Sequence, residues 1–150
     1  MTDGTEDLTH PVLGMLRWQP DDECWYSQVR LASGDAIDLL ITPYDEDRFS
    51  FLTRAGEVFK WAMANERRIL AEAVQVELLE LYNSTWRRAG EPVLSAVELM
   101  AKLEWHLLCI NADAVVLIDY GYGAGALFGN HGVSVEVGED LRFRDIDLLG

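Results

Sequence analysis

The chain has 150 residues, 49% hydrophobic with fifteen aromatics, a globular composition in which no apolar run reaches the roughly 18 residues of a membrane span. Acids outnumber bases 26 to 12, for a net charge of −14. Nucleic acid and anionic lipid are thereby disfavoured as partners, because both need Lys and Arg to neutralise phosphates.

A domain of this length buries roughly 68–70% of its unfolded surface, so it needs neither metal nor disulfide to fold. One α+β domain over residues 10–150 is expected, after a disordered acidic tail at 1–9. The N-terminus "MTDGTEDLTH" has neither the basic start nor the apolar stretch of a signal or transit peptide, so a cytoplasmic location is expected. The charge is uneven. Residues 1–47 hold 11 acids and 2 bases, residues 48–102 hold 7 and 8, and residues 103–150 hold 8 and 2.

In chain order, "VLGMLRW" and "CWYSQVRL" read as strands joined by the turn "QPDDE", with Trp18 and Trp25 placed to pair across it. "AIDLLITPY" alternates Ile37, Leu39 and Ile41 onto one face, as a half-buried strand does. From Arg48 to Arg88 the apolar spacing is helical: Leu52, Ala55, Val58, Phe59 and Ala62, then Ile69, Ala73 and Val76. The spacing weakens at "ANERR" (64–68), and an unbroken helix of about 40 residues is rare, so a bend or break is expected near Asn65. Asp47 or Ser50 is placed to cap this helical stretch, and Gly90 and Pro92 to stop it. "SAVELMAKLEW" opens on a capping box, Ser95 with Glu98. The rest reads as four strands: "WHLLCI", "VVLIDY", "LFGNHGVSVEV" and "IDLLG". In the third, Val133, Val135 and Val137 alternate with Ser134 and Glu136, which gives one wet face. The expected order is βββ, three helices, ββββ. The sheet should be mainly antiparallel and packed on a central group of helices.

Three features invite chemistry. Gly121, Gly123 and Ala126 fit a dinucleotide-binding fingerprint. That fingerprint works only when a helix follows to receive the pyrophosphate, and here a period-two strand pattern follows. A P-loop is excluded because no Gly-Lys-Ser/Thr is present. No cofactor is expected. His131, with Asp119 nearby in hairpin terms, could form an oriented general base. No convincing nucleophile accompanies it: Cys24 and Cys109 fall in apolar strand contexts, and no G-x-S-x-G exists. His10 and His106 stand apart, so no metal site is expected, and the two cysteines read as reduced thiols. The acidic turns are the third feature. Asp21, Asp22 and Glu23 in one, and Asp45, Glu46 and Asp47 in the other, read either as solvated turns or as a patch that meets a basic protein partner.

At "LFGNHGVSVEV" the chain resembles a family of small bacterial proteins of unknown function. The matching positions are Asp119, Leu127, Phe128, His131, Val133, Val135 and Gly150. The first hairpin, "LLELYNSTW" (78–86) and "SAVELMAKL" are similar in kind, while "YGYGAGA" replaces the family's tighter turn. Some members of that family look like immunity proteins of toxin systems. The resemblance therefore implies a non-enzymatic inhibitor whose partner is a basic toxin or nuclease, with Asp21, Asp22, Glu23, Asp45, Glu46, Asp47 and His131 as candidate contacts. The alternatives are a small hydrolase-like enzyme using His131 and Asp119, or a regulatory scaffold.

Overall fold

A computed structural model describes residues 7–113, 115–121, 127–129, 131–138 and 140–149. Among these residues the fold is α+β, with an eight-stranded sheet and one long helix. The strands are β1 (Asp7–His10), β2 (Gly14–Gln19), β3 (Cys24–Arg30), β4 (Ala36–Thr42), β5 (Glu104–Asn111), β6 (Val116–Gly121), β7 (Gly132–Val137) and β8 (Phe143–Leu149). Their order in the sheet follows the chain, β1 to β8. Short turns make β1–β2, β2–β3, β3–β4 and β7–β8 antiparallel. The pair β4–β5 is parallel, because the helical stretch between them returns the chain to the end from which β4 started.

Residues 7–9, expected in a disordered tail, begin strand β1, so four strands rather than three precede the helix. Residues 1–6 of that expected tail lie outside the described residues. The chain divides into two compact units, residues 1–64 with 107–117 and residues 65–106 with 118–150.

In the first unit, Ile37, Leu39 and Ile41 are buried as their alternation requires, together with Leu16, Leu108 and Ile110. Trp18 and Trp25 are register partners with ring centres 5.2 Å apart in a T-shaped pair. The Arg48 guanidinium lies 4.7 Å from the Trp18 ring, and the Trp25 indole N–H donates to the Arg48 carbonyl at 3.0 Å. Asp47 caps the helical start: its Oδ2 accepts from the Ser50 N–H at 2.9 Å and the Ser50 hydroxyl at 3.0 Å. His10 turns the β1–β2 connection. Its Nδ1 accepts from the N–H groups of Val12 and Leu13, both at 3.1 Å.

The main departure from sequence expectation is in the helical stretch. Helix α1 (Phe51–Ala73) runs through Asn65 without a break. It continues through a π turn (Val74–Leu78), the single turn α2 (Leu79–Leu81) and a second π turn (Tyr82–Trp86), and ends where Arg87 turns extended. The apolar spacing weakens at 64–68 because a charged residue faces inward there, not because the helix stops. Glu66 is 7% exposed and accepts from the Tyr120 hydroxyl at 2.6 Å and from Arg67 at 2.9 and 3.0 Å. The π turns have a packing consequence. Four residues overshoot a full turn in an α-helix and fall short of it in a π turn. Mixing the two keeps Leu70, Val74, Leu78 and Tyr82 all buried, and leaves Val76, expected on the apolar stripe, 63% exposed.

Helix α3 (Ala96–Lys102) carries the expected capping box in full. The Asn83 side chain fixes the segment before it, donating to the Leu94 carbonyl at 2.9 Å and accepting from its N–H at 3.0 Å. Strand β7 starts only at Gly132. Leu127, Phe128 and Gly129 form a turn instead, closed by the His131 N–H on the Phe128 carbonyl at 3.1 Å.

Candidate functional site

The two acidic turns are brought together by topology in the first unit. A parallel pair places the loops that follow its two strands at the same edge, and Thr42 of β4 is the register partner of Asn111 of β5. Strand β3 runs antiparallel to β4, so the residue that precedes β3 arrives at that same edge. Glu23, Pro43, Tyr44, Asp45, Glu46, Ala112 and Asp113 thereby line a cleft of about 560 Å³.

Local bonds shape its rim. The Ala112 N–H donates to the Thr42 carbonyl at 2.8 Å, and the Glu46 N–H to the Pro43 carbonyl at 3.0 Å. Arg54 reaches out of α1 to bind the Glu46 carboxylate at 2.9 Å and the Ala112 carbonyl at 3.1 Å, and so joins the loops after β4 and β5. Asp113 accepts from the Val115 N–H at 3.1 Å. Glu23 and Tyr44 both take left-handed backbone conformations, with φ of 51°. Such conformations cost non-glycine residues energy and are held by surrounding structure. Tyr44, 60% exposed, stands at the cleft with its ring in solvent.

Four carboxylates around one cleft, with Arg54 bound to Glu46, create a negative potential suited to an ammonium or guanidinium group. Among the described residues no three His, Cys, Asp or Glu side chains are arranged to hold a metal ion.

Of the residues singled out in the sequence, Glu23, Asp45 and Glu46 line the cleft. Asp21 and Asp22 are exposed in the turn but outside its lining. Asp22 and burial together push the Cys24 thiol pKa up, burial being the larger cause, so this cysteine is held as a thiol. Asp47 is occupied as a cap: bonds from the Ser50 backbone and hydroxyl hold its carboxyl below the usual range. His131 belongs to the second unit and does not line the cleft. Its ring meets Trp86 edge-on, with centres 5.6 Å apart.

The suggested His131–Asp119 pair is not what holds Asp119. That carboxyl bonds Ser134 and interacts electrostatically with His106, and burial pushes its pKa up. Of the glycine fingerprint, Gly123 and Ala126 lie outside the described residues, and strand β7 follows, not a helix. Asp113 and Arg54 were missed by sequence reading. Only the parallel pairing of β4 with β5 brings them to the acidic turns, and nothing local in "NADA" signals it.

Comparison with protein-family models, curated proteins and solved structures finds no match for this chain.

Proposed function

We propose that this chain is a non-enzymatic interaction protein of the immunity type, which receives a lysine or arginine of a basic toxin or nuclease in the acidic cleft. The observation that carries the reading is the convergence of Glu23, Asp45, Glu46 and Asp113 from three loops onto one edge of the sheet. Arg54 bridges two of those loops and preorganises them, so less ordering is left for the binding step. The field of 26 acids steers a basic partner toward the site and speeds encounter more than it deepens affinity. Among the described residues no helix is long and apolar enough to cross a membrane.

The test is capture from the native host with mass spectrometry, using the wild-type chain and the variant Glu23→Lys/Asp45→Lys as baits. A basic protein held by the first and lost from the second supports the reading. An acidic partner, or a basic one retained equally by both baits, overturns it.

A further inference from the structure

Strand β8 ends the sheet among the described residues, so one of its sides pairs with β7 and the other is open. An open side offers backbone N–H and C=O groups to any second strand. β8 is seven residues long, lacks proline and lies wholly within the second unit. Phe143, Ile146 and Leu148, interspersed with its charges, are only half-buried. An edge of this length and apolar content is a template for pairing with a second copy of the same chain, through the self-complementary contact that a two-fold axis creates.

One bond closes that edge. The Ile146 N–H donates to Oδ1 of its neighbour Asp145 at 2.8 Å. In an antiparallel ladder, residues alternate between those that exchange bonds with the facing strand and those whose N–H and C=O turn away from it. An N–H held by a side chain of its own strand is of the second kind, so Ile146 points its donor out of the sheet, in the middle of the open side. The Asp145 carboxylate sits there for a physical reason. Its register partner on β7 is Glu136, a like charge. Repulsion turns Asp145 off the shared face and toward the edge. Arg144 goes the other way: beside the bulge at Glu136/Val137 it lies against Gly138 and reaches Glu136 at 3.5 Å.

We propose that Asp145 guards the β8 edge: by holding the Ile146 N–H it keeps two copies of this chain from joining β8 to β8. In an antiparallel pair centred on Ile146, each Ile146 N–H would donate to the Ile146 carbonyl of the other copy, and the two half-buried side chains would meet. With the carboxylate in place that donor is occupied, and a charge stands where the incoming strand would bury it, at a cost. The same pairing sets Asp145 of each copy opposite Asp147 of the other. Removing either acid therefore relieves the same repulsion, and only the loss of Asp145 also frees the N–H. The guard does not depend on the acidic cleft, and its failure would leave the cleft reading intact.

The test compares self-association of the whole chain as wild type, Asp145→Ala, Asp145→Asn and Asp147→Ala by sedimentation equilibrium, with amide hydrogen exchange followed by NMR at low and high protein concentration. Both positions are exposed, so the substitutions leave the core untouched. Asp145→Ala should dimerise about tenfold more tightly than Asp147→Ala, because two held donors are released per dimer, and its Ile146 amide should exchange slowly only where the dimer forms. Asp145→Asn loses the charge but keeps an acceptor, and should match Asp147→Ala. Equal dimerisation of the two alanine variants overturns the proposal in favour of charge repulsion alone. So does an Asp145→Asn chain that pairs as tightly as Asp145→Ala, a wild type that already pairs through β8, or an Asp145→Ala chain that stays monomeric. A dimer in which the Ile146 amide exchanges as fast as in the monomer overturns it too, since the contact then lies elsewhere.

Discussion

Glu66 is a carboxylate buried in the middle of a helix, a position that is costly unless the charge is paired and hydrogen-bonded. Both conditions hold, through Arg67 and the Tyr120 hydroxyl. Burial, first, and the adjacent Glu66 charge push the Tyr120 pKa far up, so the phenol remains a donor at any pH at which the fold exists. Tyr120→Phe should therefore cost about 1–3 kcal/mol in denaturant unfolding, because a buried carboxylate loses a charge-assisted bond. A loss no larger than that of an exposed substitution would mean that Arg67 alone holds Glu66. Asp119 makes a pH prediction of definite sign. Its folded pKa is raised above its unfolded value, so the native state binds more protons. Its contribution is fully present below the ordinary Asp range and is lost as pH rises through the folded pKa. Asp47 and Glu98 act oppositely: their lowered pKa values give stability above the ordinary carboxylate range that is lost as pH falls through the folded values. Asp119→Asn should flatten the decline on the alkaline side of the carboxylate range, and Asp47→Asn the decline on the acid side. Urea midpoints measured across pH would separate the two, and parallel curves for wild type and Asp119→Asn would refute the first.

At the scale of elements, periodicity was informative where one face meets the core and another meets water. Ile37–Ile41 in β4 and the capping box of α3 were legible, and so were the buried valines of β7, but the wet face expected there is absent from the described strand, because Ser134 is buried and Glu136 half-buried. The failures share a cause, which is that a local pattern was overridden by a partner distant in sequence. "ANERR" suggested a break because its acid had no visible partner, and that partner is Tyr120, 54 residues on. "LFG" suggested strand, but Gly129 is left-handed at φ 64° and Trp86 packs against it, 3.2 Å from where a Cβ would stand. The edge-to-face rings of Tyr82, Trp86 and Phe128 then hold the turn on the second π segment. Gly129→Ala should cost about 1 kcal/mol or more, from the backbone conformation and the contact together. That corresponds to a fall of about 2–4 °C in the thermal midpoint. An unchanged midpoint would show that the turn adapts.

For the whole molecule, the charge distribution has consequences that pairwise bonds do not. The acidic N-terminal third supplies three of the four carboxylates of the cleft, and the acidic C-terminal third supplies Asp113 and the acids Glu136, Asp145 and Asp147 of β7–β8. Steered association of a captured basic partner should slow with added salt. Glu23→Lys/Asp45→Lys should slow it further and flatten the salt dependence, read as association rates by surface capture. Equal salt slopes in the two chains would remove charge steering from the account.

The sequence by itself determined the α+β class, the mainly antiparallel sheet, the Trp18–Trp25 pair, the helix caps and the two acidic turns. Each rests on chemistry within a few residues of chain: alternation, turn formers and capping side chains. Tertiary structure decided which acids share a site. The parallel β4–β5 pairing added Asp113 and Arg54 to the cleft and left Asp21, Asp22 and Asp47 outside it. The β7–β8 register set Asp145 against Glu136, and burial gave Asp119 to Ser134 and His106. Pairings of this kind depend on which strands become neighbours, a property of the closed fold that no local pattern carries.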